Sequence, residues 1–131
     1  MTLVVIRILI VDDSAIFREG LRAMLEAHTD WEVCGEAMNG VEGVQKNRLL
    51  KPHLIIMDFS MPQMSGIEAA AEILKDSPKV PILLLTLYLT PQITKEARKA
   101  GIRATLSKTA TNHLVGGIAA VLRDEELELK N

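Results

Sequence analysis

Two hydrophobic periods alternate along this chain, and few architectures accommodate such an alternation. Short apolar bursts recur at even intervals: VVIRILIV (4–11), WEVCGEA (31–37), HLIIM (53–57), VPILLL (80–85) and RATLS (103–107). Between them the spacing turns helical. Phe17, Leu21, Met24 and Leu25 stand at i, i+4, i+7 and i+8, and Ile67, Ala70, Ala71 and Leu74 at i, i+3, i+4 and i+7. Ile93, Ala97 and Ala100 repeat the theme, as do Leu114, Ile118, Val121 and Leu122. Short apolar runs bounded by turn residues are what strands buried on both faces look like. Five of them alternating with five helices predict an α/β fold, a doubly wound five-stranded parallel sheet with helices on both faces. The helix over 39–50 is read as the weakest because Gly43 lies inside it. Pro52, Pro62, Gly66, Pro78, Pro81, Pro91 and Gly101 mark the crossings.

At 131 residues the chain has the length of one domain. Residues 1–123 are assigned to it, and 124–131 to a charged C-terminal tail or the start of a linker, with RDEELELKN (123–131) extending or fraying the last helix. Only 3% of the residues are aromatic, so the core must come from Ile, Leu, Val, Ala and Met. A net charge of −2 gives no long-range attraction to nucleic acid or anionic lipid. The single Cys34 excludes an internal disulfide and a cysteine-rich metal site, and it fits a reducing compartment. The opening run contains Arg7 and meets Asp12 and Asp13 without a cleavage pattern, and VPILLLTLYL (80–89) is too short to span a bilayer. The expectation is a cytoplasmic domain that touches neither membrane nor nucleic acid.

In LIIMDFSMPQMSG (54–66) a lone carboxylate, Asp58, ends an apolar strand. Isolated buried charge is costly, so Asp58 must be satisfied there or exposed for chemistry. In a doubly wound sheet, ligands bind beyond the carboxyl ends of the strands. Those ends carry Asp12, Asp13 and Ser14, then Asp58, then Thr86, then Ser107 and Lys108. Taken singly each has an ordinary role, Asp or Ser as a helix cap, Thr86 as a strand residue, Lys108 as a solvated end. Together they suit a hard cation. Three neighbouring carboxylates stay ionised only beside positive charge, and Mg²⁺ accepts carboxylate oxygens, waters and phosphate. Thr86 and Lys108 are suited to phosphoryl oxygens, and Asp58 to the nucleophile that forms an acyl phosphate.

RILIVDDSAIFREGLRAML (7–25), LIIMDFSMPQMSGIEAA (54–70), PILLLT (81–86) and KAGIRATLSK (99–108) together resemble the receiver domain of two-component response regulators over about residues 5–123. The wording of the first two is most similar to receivers of helix-turn-helix (LuxR/NarL-type) transcriptional regulators. The resemblance implies a flavodoxin-like sheet of strand order 2-1-3-4-5. It further implies phosphorylation of Asp58 by a sensor histidine kinase, with Mg²⁺ held by Asp12, Asp13, Asp58 and the main-chain carbonyl of Ser60. Thr86 and Lys108 would take the phosphoryl oxygens, and Met61, Pro62 and Gly66 would shape the following loop. Such a domain is a signalling module rather than an enzyme. Its surface over about 91–122 would meet a second copy or an output domain.

This chain departs from the pattern at three places. Thr105 stands where the family carries Tyr or Phe, so the usual aromatic switch has no side chain to move. Tyr88 is read as a loop aromatic, a shield or a substitute switch; with Ser60 it flanks the path of attacking water, and the expectation is a long-lived phosphoryl group. Thr109 replaces the proline that often follows the lysine, and because a non-proline cis bond costs about 2.5–4 kcal/mol the loop is expected to be trans or strained. Gly116 and Gly117 lie inside the last helix, as a weak point or a close approach. A receiver-like dimerisation or docking module that is never phosphorylated is the alternative. A flavodoxin-type electron carrier is disfavoured, because VDDSAIF (11–17) is acidic where a phosphate loop belongs.

Overall fold

The computed structural model describes residues 4–130, with side chains for 4–124. Strands β1 (Ile6–Val11), β2 (Trp31–Ala37), β3 (Leu54–Asp58), β4 (Ile82–Thr86) and β5 (Ala104–Ser107) form one sheet in the order β2-β1-β3-β4-β5. All four neighbouring pairs are parallel. Helices α1 (Ala15–Glu26), α2 (Gly40–Leu50), α3 (Gly66–Asp76) and α4 (Pro91–Ala100) make the four crossings, and α5 (Leu114–Lys130) follows the last strand. A short 3₁₀ segment, Lys108–His113, joins β5 to α5 and has no signature in the hydrophobic pattern. The charged tail continues α5 to Lys130; Asn131 and residues 1–3 lie outside the described residues.

Alternation along the strands divides the core in two. Leu9, Val11, Ile55, Met57, Ile82 and Leu84 point towards Val44 of α2, Ala69, Ala70 and Ile73 of α3 and Ala97 of α4. Ile8, Ile10, Leu54, Ile56, Leu83 and Leu85 point towards Leu21 and Leu25 of α1 and Leu114, Ile118 and Val121 of α5. β3 and β4 are buried at every residue, whereas β5 is only half-buried, as suits an edge strand with one neighbour. Gly43 follows from this packing: a Cβ there would lie 3.1 Å from both Val11 methyls, so α2 sits close on β1 at the cost of helix propensity.

The two glycines of α5 have different surroundings. A Cβ on Gly117 would approach Leu106 Cδ1 to 2.9 Å, while one on Gly116 would meet nothing within 4 Å. The close approach is thus helix to side chain, at one glycine only. Gly116→Ala is expected to stabilise the fold by about 0.5–1 kcal/mol, and Gly117→Ala by clearly less because Leu106 must shift. Urea unfolding of the two variants checks the order.

Candidate functional site

Among the described residues four polar side chains are buried, Asp12, Asn47, Asp58 and Thr86, and three of these lie at the carboxyl edge of the sheet. Adjacent β1 and β3 end in Val11 and Asp58, and Asp12 follows directly, its N–H donating to the Ala37 carbonyl at 3.0 Å. This is where the strand order reverses, the place a doubly wound sheet offers a ligand. Lys108, one residue beyond β5, reaches back across the edge. Its Nζ lies 2.7 Å from Asp12 Oδ2 and 3.2 Å from Asp58 Oδ1, with the side chain 11% exposed.

Local structure holds these groups in place. Ser14 caps α1, accepting from the Phe17 N–H, and its own N–H donates to Asp12 Oδ1 at 2.8 Å. Arg18 Nη1 donates to the Asp12 carbonyl at 2.6 Å while its Nε donates to Glu36 at 2.9 Å, tying α1 to β2 behind the carboxylate. Burial pushes the Glu36 carboxyl up, but hydrogen bonds and charge from Arg22 and Arg18 outweigh that and hold it below its usual range. Beyond β3, Gln63 adopts a left-handed conformation (φ 71°), and the Gly66 N–H donates to the Phe59 carbonyl at 2.8 Å. The loop therefore folds back against the strand it leaves, and Ser65 starts α3 with a reciprocal capping box to Glu68.

The electrostatics are unbalanced. Asp58 is pushed up from 3.8 to about 6, first by burial and then by the charge of Asp12, against the opposing pull of Lys108 and the Ser60 N–H. Burial would lower Lys108, but the hydrogen bond to Asp12 and the charge of Asp58 raise it above its ordinary value. One oxygen each from Asp12, Asp13 and Asp58 lie within 4.8 Å of one another. Three carboxylates against one ammonium leave two negative charges, and the donors are all hard oxygens. A divalent cation such as Mg²⁺ fits that set in both charge and chemistry.

The expected site residues mostly converge. Asp13, Ser14, Asp58, Ser60, Thr86, Tyr88 and Lys108 line one cleft of about 420 Å³ together with Phe59, Leu87 and Ile93. Asp13 and Ser60 are exposed at its mouth, where a metal could reach them. The Thr86 hydroxyl accepts from the Tyr88 N–H at 3.4 Å, so its proton remains to be donated. Tyr88 lines the cleft yet is 81% exposed. Thr105 is half-buried on β5, opposite Leu84, outside the cleft. The Lys108–Thr109 bond is trans, as there is no cis peptide among the described residues.

Sequence reasoning placed Phe17 only in the core stripe of α1. Its ring also lies beneath the Lys108 ammonium, with Nζ 4.3 Å from the ring centroid. Arg18 was missed altogether; its only signal was a cation one turn after an acidic pair.

A doubly wound domain with an acidic, lysine-bridged cleft at its switch point is the class this geometry defines. A family model for the response regulator receiver domain matches residues 8–118. Response regulator protein VraR of Staphylococcus aureus is 38% identical over 106 residues, 81% of this chain and 51% of VraR. The chain thus spans about half the length of the curated relatives it matches. The solved structure of a LuxR-family two-component response regulator from Aurantimonas sp. SI85-9A1 superposes with a TM-score of 0.89 at 30% identity, covering 92% of this chain and 86% of that one. The response regulator domain of Thermotoga maritima CheB gives 0.85 at 30% identity, covering 93% and 97%. The chain belongs to the response regulator receiver domain family of two-component systems. No helix among the described residues is long and apolar enough to cross a membrane.

Proposed function

We propose that Asp58 accepts a phosphoryl group from a phosphohistidine of a sensor histidine kinase. A carboxylate oxygen of Asp58 forms the new P–O bond as the donor's P–N bond breaks, and the imidazole leaves with the electron pair. The observation behind this reading is the Lys108 ammonium held between two buried carboxylates, Asp12 and Asp58. An ammonium already at the site has only to turn from one carboxylate to neutralise charge on an arriving phosphoryl oxygen. Thr86 donates its hydroxyl proton to another of those oxygens. Asp12, Asp13, Asp58 and the Ser60 carbonyl would hold Mg²⁺, which supplies charge neutralisation at the phosphoryl oxygens.

The reading extends to output. Residues 1–123 form the receiver and 124–131 lead out of it; acting in the cytoplasm, the domain controls transcription through an output domain or a second copy, by way of the surface over about 91–122. With Thr105 on β5 in place of an aromatic, Tyr88 and the exposed Leu87 and Leu89 beside Thr86 are the side chains available to report the phosphoryl group.

Intact mass spectrometry after incubation with Mg²⁺ and a small-molecule phosphodonor tests the proposal. One phosphoryl group is expected on the wild type, and none on Asp58→Asn or without divalent cation. No adduct under any condition would instead support the phosphorylation-independent docking module.

A further inference from the structure

We propose that Phe17 is a positioning residue for phosphoryl capture, its ring face holding the Lys108 ammonium at the site; this rests on the phosphoacceptor reading of the cleft. An ammonium has three N–H groups. Two are directed to Asp12 Oδ2 and Asp58 Oδ1, and the third side of Nζ faces the Phe17 ring, 4.3 Å from its centroid. A cation at that distance from an aromatic face is attracted to the negative face of its quadrupole, most strongly where water is scarce. Water is scarce here, since the Lys108 side chain is 11% exposed and Phe17 is half-buried against the α1–α5 core.

The ring is held in place through the same short segment that supplies the acid. Asp12 Oδ1 accepts from Ser14, Ser14 Oγ accepts from the Phe17 N–H, and the first turn of α1 is thereby fixed relative to the carboxylate that binds Lys108. When a phosphoryl oxygen arrives, Lys108 must release one carboxylate to meet it. Phe17 keeps the ammonium within reach during that exchange without competing for its protons, which a third carboxylate would do. A purely packing role for Phe17 requires only an apolar side chain of similar bulk; the positioning role requires the π face.

Three replacements separate the two. Phe17→Leu keeps apolar bulk, Phe17→Tyr keeps the ring face, and fluorinated phenylalanines weaken the face at nearly constant shape. The rate of Asp58 phosphorylation by a small-molecule donor at saturating Mg²⁺ is expected to fall about three- to tenfold in Phe17→Leu, to recover in Phe17→Tyr and to fall progressively with fluorination. In parallel, NMR of the metal-free protein follows the Lys108 side-chain resonances. An upfield ring-current displacement is expected in wild type and Phe17→Tyr, and none in Phe17→Leu. Wild-type rates in Phe17→Leu, or rates indifferent to fluorination, overturn the proposal. If the wild type takes up no phosphoryl group, the phosphoacceptor reading fails, and the proposal fails with it whatever the NMR shows of the ring and the ammonium.

Discussion

At pH 7.5 without divalent cations, Asp58→Asn is expected to raise the free energy of unfolding by about 1–3 kcal/mol, although it removes the proposed phosphoacceptor. The sign follows from the carboxyl's position near 6 in the folded chain against 3.8 for an ordinary aspartate. Between those values the folded state holds a proton that the unfolded state has released. Stability contributed by Asp58 is therefore highest below about pH 4, falls as pH rises through that window, and stays low above it. The full difference, with the pull of Lys108 already counted in it, is worth about 3 kcal/mol, and the poorer fit of an amide than of a protonated carboxyl reduces the gain. Urea unfolding at pH 7.5 and pH 4 checks it: the advantage of Asp58→Asn should shrink at the lower pH, and Mg²⁺ should stabilise the wild type more than the variant. A variant less stable than wild type at pH 7.5 would show that Asp58 is well satisfied by Lys108.

Gly66→Ala is expected to cost about 3 kcal/mol, with a fall in melting temperature of about 10 °C, and to impair phosphorylation. A Cβ at Gly66 would run into the backbone carbonyl of Asp58 well inside van der Waals distance, with Leu84 Cδ1 at 2.9 Å. A flexible side chain can yield to such an intrusion; a main-chain carbonyl at the end of a buried strand cannot move alone. Either α3 lifts from β3, breaking the Gly66 to Phe59 hydrogen bond, or Asp58 turns away from Lys108. Calorimetry and the phosphorylation rate together test this. A variant with wild-type melting would mean that the loop carrying Gln63 absorbs the shift.

Several elements were legible because their causes are local. Pro91 was read as marking a crossing, and α4 starts there, since proline lacks an N–H that the first turn cannot use; the Thr90 side chain caps it by accepting from the Ile93 N–H. β3 and β4 were visible as runs without a polar residue, and Asp58 stood out by ending one of them. The 3₁₀ segment was not visible, because KTATNH (108–113) has neither period; its shape depends on what β5 and α5 require at either end. Gly43 looked like a flaw in a helix when read along the chain, and proves to be the space that Val11 occupies.

From linear order alone came the alternation of strands and helices, the rim on which Asp12, Asp13, Asp58, Thr86 and Lys108 would gather, and the charge excess that asks for a cation. Periodicity records which side of each element faces away from water, and that is written residue by residue. The bridge from Lys108 to Asp12 and Asp58, the ring of Phe17 beneath it, the hold of Arg18 on the Asp12 carbonyl and the unusual carboxyl of Asp58 belong to the folded molecule. They depend on how separate elements meet, and on the exclusion of water that only the closed sheet edge provides.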